Sequence, residues 1–248
     1  MVIYYSSTGN SKHVALKLHK EFKGNLIDVC DFEQPSSFCL EDGEVLFLVT
    51  FNCFWGISNR METFIRNSEF RNVKEIVVII TCGGYLGGAD DSIERLLLEK
   101  GLPKPIVHSL VMVTNYSILH DVPSFDIQKR KLLRAEKKLG KIIEGAQKPY
   151  HSNGFIRKVT PKIHDQYEKA RNTAPFHVNS FCIGCEVCMK NCPVHAIEMK
   201  GSRPTWVKPK CDHCLRCLHR CPAKAIDYGN STQNRLRYTY EAHDSRHL

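Results

Sequence analysis

Short apolar runs alternate with amphipathic stretches through the first half of this 248-residue chain. Several of the apolar runs are continuous, which is the pattern of strands buried on both faces of a parallel sheet. The pattern predicts strands at residues 2–5, 26–30, 45–50, 76–81 and 106–113, and helices at residues 11–22, 58–67, 90–100 and 126–144. This alternation predicts an α/β fold with a doubly wound parallel sheet, and five strands suit the order 2-1-3-4-5.

The pattern changes after residue 148, and it divides the chain into four parts. Residues 1–148 form the predicted α/β domain. Residues 149–178 are polar and basic, and Pro161 and Pro175 are expected to break any helix there, so we predict a linker with a short helix at residues 162–172. Residues 179–228 predict a small α+β domain. Residues 229–248 predict a tail that is either disordered or lies back on the body of the protein.

The small domain contains an internal repeat. The segments CIGCEVCMKNCPVHAI (182–197) and CDHCLRCLHRCPAKAI (211–226) match in four cysteines, a proline, an alanine and an isoleucine. This concentration of cysteines indicates metal or clusters, because stable disulfides are unusual in a cytosolic chain. In a C-x2-C-x2-C-x3-C-P run the fourth cysteine reaches the other cluster. We therefore predict two 4Fe–4S clusters, one on Cys182, Cys185, Cys188 and Cys221 and one on Cys211, Cys214, Cys217 and Cys192.

Paired C-x2-C knuckles also hold zinc, so two four-cysteine zinc sites are the alternative. Zinc gives no reason for a third regularly spaced cysteine and a C-P step in both copies. His195, His213 and His219 lie inside the repeat and are expected to be solvated surface side chains. The basic side chains of the module either balance the charge of two anionic clusters or form a docking face for an acidic partner. They are Lys190, Arg203, Lys208, Lys210, Arg216, Arg220 and Lys224.

A hydroxyl-rich loop follows the first predicted strand. It offers hydroxyls, an amide and backbone N–H groups at the start of a helix, where the macrodipole favours an anion. Neither the glycine-rich dinucleotide fingerprint nor a Walker A loop is present. The remaining candidate is the phosphate of FMN, held without a lysine. The predicted phosphate-binding residues are Ser6, Ser7, Thr8, Gly9, Asn10 and Ser11.

Two further loops follow the third and fourth predicted strands, where the switch point of the sheet would place the flavin ring. We predict that Phe54 or Trp55 stacks on one side of the ring and Tyr85 on the other. The alternative is that the aromatic residues are core packing and the glycines plain turns. The predicted contact residues of these loops are Asn52, Phe54, Trp55, Gly56, Thr81, Gly83, Gly84 and Tyr85.

These motifs together resemble the flavodoxin–ferredoxin fusion family of anaerobic bacteria and archaea. Further matching elements are Asn115 and Tyr116 after the fifth strand, Trp206 between the cysteine copies, and R-x-R-Y at residues 235–238. The resemblance implies FMN, two 4Fe–4S clusters, and electron transfer between these groups and redox partner proteins, such as an acidic ferredoxin or an oxidoreductase. Relatives often carry Pro and Tyr in the loop that follows the third strand, and this chain departs from that pattern.

The same motifs also suit an enzyme, a ferredoxin-fed flavin-dependent reductase of a quinone, nitro compound or enone. The sequence therefore leaves open whether the chain is an electron carrier or an oxidoreductase with a substrate of its own. In the carrier interpretation no side chain acts as a catalytic acid or base, and the protein positions and tunes its redox groups.

The formal net charge of +9 would ordinarily suggest a nucleic-acid partner. Two oxidised clusters and an FMN phosphate reduce that charge to about +3. We therefore expect no nucleic-acid partner. The N-terminal residues lack a signal-peptide pattern and no apolar run approaches membrane-spanning length, so we expect a cytoplasmic protein without membrane association.

Overall fold

The computed structural model describes residues 1–32 and 36–243. The strands are β1 (Val2–Tyr4), β2 (Leu26–Asp28), β3 (Ser37–Cys39), β4 (Leu46–Cys53), β5 (Gly56–Ile57), β6 (Glu69–Arg71), β7 (Ile76–Cys82), β8 (Ile106–Val111), β9 (Phe176–Val178), β10 (Ile197–Lys200), β11 (Arg203–Trp206) and β12 (Ile226–Tyr228). The helices are α1 (Asn10–Phe22), α2 (Asn59–Asn67), α3 (Ala89–Glu99), α4 (Phe125–Ile143), α5 (Gly154–Ala170), α6 (Val187–Lys190) and α7 (Arg216–His219), with 3₁₀ turns at Val29–Asp31 and Tyr240–His243. Within these two ranges, no helix combines the length and the apolar character needed to cross a membrane.

Five parallel strands form the main sheet in the order β2-β1-β4-β7-β8. These are the five strands that the apolar runs predict, and when they are numbered along the chain their order across the sheet is 2-1-3-4-5. The predicted flavodoxin-like topology is confirmed. The short strand β5 adds an antiparallel hairpin to the end of β4.

Side chains of the main sheet alternate between two apolar cores, which explains why its strands read as continuous apolar runs. Leu46 and Leu48 of β4 pack on one face with α2 and α3, whereas Phe47 and Val49 pack on the other face with α1 and α4. Because helices cover both faces, the carboxyl ends of the strands are left for a ligand. The strand order reverses between β1 and β4, the usual ligand position in this topology.

The small domain pairs β9 with β12 and β10 with β11, both antiparallel, and carries the short helices α6 and α7. This is the predicted small α+β domain. Its two cysteine copies follow the same backbone course. Left-handed residues with positive φ occur in three aligned pairs: Gly184 and His213, Glu186 and Leu215, and His195 and Lys224.

Of the four predicted parts of the chain, the linker is the one whose structure differs most from the prediction. Helix α5 runs through Pro161, so the prediction that this proline breaks the helix is wrong. Thr160 is buried directly against Gly88, and Tyr167 is buried at the junction with the small domain. These tertiary contacts offset the helix hydrogen bond that proline cannot donate.

The last part of the described chain lies back on the large domain, which is the second of the two alternatives predicted for the tail. Tyr238 is only 2% exposed, and the backbone N–H of Tyr240 donates to the carbonyl of Thr8 at 2.7 Å. Residues 244–248 of the predicted tail lie outside the described residues.

Candidate functional site

The hydroxyl-rich loop joins β1 to α1 at the carboxyl end of the sheet. Its side chains are buried, and neighbouring loops fix them. Ser11 Oγ lies 3.0 Å from Thr81 Oγ1, and Thr8 Oγ1 accepts a hydrogen bond from Asn115 Nδ2 at 2.8 Å. The first N–H groups of α1 have no partner within the helix. The loop therefore gathers donors at a positive helix end, which suits an anion.

A cavity adjoins this loop. Among the described residues that line it, none is acidic or basic, so an anion there would be held by hydroxyls, amides and backbone N–H groups. Gly9 does not reach this cavity, because its N–H donates to Ser6 Oγ at 3.2 Å and a Cβ on it would meet Tyr240 at 2.8 Å. The lining residues are Ser6, Ser7, Thr8, Asn10, Ser11, Phe51, Asn52, Thr81, Cys82, Gly83, Val113, Thr114, Asn115 and Tyr116.

A second cavity of about 570 Å³ shares several of these residues and is continuous with the first. Its volume is typical of small-molecule sites. Thr81 lines only the first cavity, and Gly56 lines neither, because its backbone packs against the His164 ring. Six of the predicted ring-contact residues line the second cavity: Asn52, Phe54, Trp55, Gly83, Gly84 and Tyr85.

A strained turn presents two of these aromatic side chains. Phe54 and Trp55 join β4 to β5, with φ values of 47° and 63°. Two-residue hairpin turns of this shape favour Asn-Gly, because bulky residues are disfavoured at positive φ. Residues held in this region cost about 1–3 kcal/mol each and cluster at ligand sites. The turn therefore supports a ligand-binding role for this loop.

Trp55 and Tyr85 contact each other edge to face, so a flavin ring between them would require these two side chains to separate. The centroids of these two rings are 5.7 Å apart and their planes are nearly perpendicular, at 83°. Two rings that sandwich a third need a separation of about 7 Å, twice the contact distance between carbon atoms. Stacking of Phe54 or Trp55 on one side of the flavin and Tyr85 on the other stays a prediction.

Asn52 offers a polar contact on the same wall. Its Nδ2 donates to the carbonyl of Tyr85 at 3.2 Å, and its buried Oδ1 has no hydrogen-bond partner among the described residues. A buried acceptor without a partner is costly. Asn52 Oδ1 therefore suits an N–H group on the polar edge of a bound ring.

The first cysteine set surrounds a cavity in the small domain. Cys182, Cys185 and Cys188 of the first copy line it together with Cys221 of the second copy. The backbone N–H of Ala225 donates to Cys221 Sγ at 3.3 Å. The left-handed residues of each copy shape a concave backbone of the type that holds many iron–sulfur clusters. The thiols and the backbone both fit a 4Fe–4S cluster.

Cys192 lies instead with the second copy. Burial is the main cause that raises the pKa of Cys217 well above its usual value, and the charges of Cys214, Cys211, Cys192 and Cys188 add to it. Burial is likewise the main cause that raises the pKa of Cys211 and of Cys214, and the charge of Cys192 adds to it in both. Cys192 therefore lies near all three cysteines of the second copy, which supports the crossed sets that the spacing predicts. Within the described residues, no three His, Cys, Asp or Glu side chains are placed to hold a single metal ion.

The second cysteine set adjoins the two cavities of the large domain. Cys214 lines the larger cavity, and its carbonyl accepts a hydrogen bond from Ser7 Oγ. Arg216 donates to the carbonyl of Ser6, and Arg220 Nε donates to the carbonyl of Ser7 at 3.4 Å. Two basic residues predicted to balance clusters or dock a partner therefore hold the hydroxyl loop. The sequence carries no signal for this role beyond their charge.

A buried carboxylate joins the domains at the same place. Asp212 is 1% exposed and accepts hydrogen bonds from Tyr5 Oη at 2.7 Å, Tyr167 Oη at 3.0 Å and the Arg60 backbone N–H at 2.9 Å. Burial raises the pKa of Asp212, while these donors act in the opposite direction. Asp212 therefore ties β1, α2 and α5 to the second cysteine copy, a role that the cysteine pattern does not reveal.

The prediction that the three repeat histidines are solvated is wrong for two of them. His195 is exposed, but His213 and His219 are each 4% exposed. His213 Nδ1 lies 2.9 Å from Tyr116 Oη, and His219 Nε2 lies 2.6 Å from the carbonyl of Asn115. Burial lowers the pKa of both histidines to about 4, so both are neutral at pH 7.

The sheet topology, the hydroxyl loop and the crossed cysteine sets define a protein that joins a flavodoxin-like domain to a dicluster ferredoxin domain. Residues 174–235 match the family model of the 4Fe-4S dicluster domain. The C-terminal domain is thus an iron–sulfur domain, and this finding decides against the zinc alternative. The architecture is that of a flavodoxin–ferredoxin fusion.

Solved structures similar to this chain cover somewhat more than half of it at low identity. The Trp repressor binding protein of Bacillus subtilis is 14% identical, with 55% of this chain and 94% of that chain covered and a TM-score of 0.34. An FMN-dependent NADH-azoreductase of Bacillus anthracis is 10% identical, with 59% and 99% covered and a TM-score of 0.38. Rubredoxin oxygen:oxidoreductase of Desulfovibrio gigas is 12% identical, with 58% and 36% covered and a TM-score of 0.31. No curated protein sequence matches the chain, and the fold assignment rests on the strand order.

Proposed function

We propose that the chain is an electron-transfer protein that binds FMN and two 4Fe–4S clusters and exchanges electrons with external redox proteins. One observation carries the proposal: Cys214 belongs to the second cysteine set and also lines the larger cavity of the flavodoxin-like domain. When bound, FMN takes one or two electrons and iron–sulfur clusters supply one-electron chemistry. The shared wall supports the proposal, because it would bring both groups into one region of the protein.

The residues of the two cavities fit FMN in distinct ways. The five loop residues of the smaller cavity would hold the phosphate with hydroxyls and backbone N–H groups. Asn52 would accept from the ring edge, and Gly84 leaves open space, since no atom lies within 4 Å of a Cβ built on it. Burial of the hydroxyl loop excludes water, which strengthens these polar contacts.

The first cysteine set faces the surface, where a partner would dock. Cys185 is exposed, and the side chains on either side of Cys182, Phe181 and Ile183, are 72% and 69% exposed. Exposed Lys200 and Arg203 lie at the tip of the adjacent β10–β11 hairpin. We propose that an acidic ferredoxin or an acidic face of an oxidoreductase docks here, because complementary charge steers such encounters.

Anaerobic purification followed by cofactor analysis tests the proposal. We expect about one FMN and about eight iron and eight sulfide ions per chain. Heating should release a yellow chromophore, and phosphatase treatment should convert it to riboflavin. A protein with iron and sulfide but no releasable flavin would contradict the proposal, and so would a colourless protein.

A second candidate function is supported by the mouth of the larger cavity. Tyr85 and Leu119 line it and are 52% and 59% exposed, so a small molecule can reach the predicted ring site. This access suits a ferredoxin-fed reductase of a quinone, nitro compound or enone. Reoxidation of the dithionite-reduced protein separates the candidates, since a carrier reacts faster with ferredoxin and a reductase reacts faster with the small acceptor.

A further inference from the structure

Residues 235–243, called the strap below, connect the ferredoxin domain back to the flavodoxin-like domain. The strap follows β12, and Arg235 Nη1 donates to the carbonyl of Ser117 at 2.9 Å. Near its end, the rings of Tyr240 and His13 stack with centroids 4.2 Å apart. The strap therefore reaches helix α1, directly behind the hydroxyl loop.

Tyr238 fixes one residue of the phosphate cavity. Its hydroxyl donates to Asn10 Oδ1 at 2.6 Å, and Asn10 Nδ2 donates to the carbonyl of Val113 at 3.0 Å. Both ends of the Asn10 amide are thus held in place. Asn10 is the first residue of α1 and lines the phosphate cavity, so the hydroxyl of Tyr238 controls the geometry of the helix start.

A second chain of hydrogen bonds reaches Thr8. The Tyr238 backbone N–H donates to His219 Nδ1 at 3.2 Å, and His219 Nε2 lies 2.6 Å from the carbonyl of Asn115. Asn115 Nδ2 donates to Thr8 Oγ1 at 2.8 Å, and the Tyr240 N–H donates to the carbonyl of Thr8 at 2.7 Å. The strap, helix α7 of the ferredoxin domain and the hydroxyl loop therefore form one connected network of hydrogen bonds.

The strap also packs against the outer side of the loop. A Cβ built on Gly9 would lie 2.8 Å from Tyr240 Cβ, and Glu241 pairs with Arg220 of the ferredoxin domain at 2.7 Å. Gly9 also has a φ of 102°, which strains any other residue. Glycine at this position thus serves the approach of the strap.

We propose that the strap is a positioning element for the FMN phosphate. It holds Thr8 and Asn10 from behind, so that the donors of the loop keep the shape the phosphate requires. This inference rests on the proposed FMN site. It adds that phosphate affinity depends on residues more than 200 positions away in sequence. Because α7 belongs to the same network, the loop takes this shape only when the ferredoxin domain is folded against it.

The test compares FMN with riboflavin, which lacks the phosphate. The full chain is freed of flavin under anaerobic conditions with its clusters intact, and binding is followed by quenching of flavin fluorescence. Tyr238→Phe should weaken FMN about fivefold, the effect of one lost hydrogen bond, and leave riboflavin unchanged. Tyr228→Phe is the matched control, because its hydroxyl bonds the carbonyl of Asn172 in an exposed position.

Gly9→Ala is a second probe, since its added methyl group pushes on Tyr240. It should also weaken FMN more than riboflavin. Unchanged FMN affinity in Tyr238→Phe would overturn the inference, and so would an equal loss for both flavins. If the unaltered protein binds FMN no better than riboflavin, the proposed phosphate site itself fails, a result distinct from failure of the strap.

Discussion

Tyr167→Phe removes a single hydroxyl from the junction between the two domains. Tyr167 is 2% exposed, and its hydroxyl donates to Asp212, whose carbonyl lies at 2.8 Å and whose carboxylate lies at 3.0 Å, while accepting from the Asn59 N–H at 3.3 Å. The ring stays in place, so the change creates no significant cavity. The variant therefore reports the polar contacts of the junction alone.

The expected effect follows from the charge and burial of the acceptor. A hydrogen bond contributes about 0.5–1.5 kcal/mol when the acceptor is neutral and about 1.5–3 kcal/mol when it is charged, and buried Asp212 offers both a carbonyl and a carboxylate to this hydroxyl. With the partner of Asn59 also lost, we expect a destabilisation of about 2–3 kcal/mol. In a chain of this size, 1 kcal/mol lowers Tm by about 2–4 °C. Tyr167→Phe should therefore lower Tm by about 5–10 °C.

Thermal unfolding of the anaerobic, cluster-containing protein measures this shift, with far-UV circular dichroism and cluster absorbance as independent probes. Tyr228→Phe is the control, because its hydroxyl makes one exposed bond of 3.2 Å and should lower Tm by about 2 °C. Equal shifts for the two variants would refute the reasoning that Asp212 joins the domains.

The crossed ligand sets predict that Cys192→Ser damages the cluster of the second copy, so iron falls from about eight to about four per chain. Cys182→Ser serves as the comparison, because it should damage the cluster of the first copy. If both variants lose the spectroscopic signal of the same cluster, Cys192 does not belong to the cluster of the second copy. Gly83→Ala should destabilise the fold by about 1–3 kcal/mol, because its Cβ would lie 2.6 Å from Thr114 Cβ. Gly84→Ala should change stability by less than about 0.5 kcal/mol, since nothing lies within 4 Å; a melting experiment in which the two variants shift equally would contradict this contrast. Electron exchange with an acidic ferredoxin should slow as salt rises, and a flat salt response in stopped-flow kinetics would argue against the basic docking face.

Local patterns in the sequence determined the elements and the motifs. The five sheet strands are continuous apolar runs because both their faces are buried, and that pattern needs no partner to be recognised. The cysteine spacing likewise predicts the crossed sets, because the fourth cysteine of each copy is tied to its place by a following proline. The hydroxyl loop indicates an anion because it lies between a strand and a helix start.

Only the tertiary structure decided which side chains lie between the two domains. His219 is predicted to be a solvated surface side chain and Arg216 to balance cluster charge or dock a partner, yet His219 is buried against the flavodoxin-like domain and Arg216 donates to its hydroxyl loop. The sequence gives no signal for the buried role of Asp212. Pro161 is predicted to break the helix, yet burial of Thr160 and Tyr167 keeps α5 continuous. Burial at a junction depends on contacts between residues far apart in sequence, and such contacts leave no periodic signal along the chain.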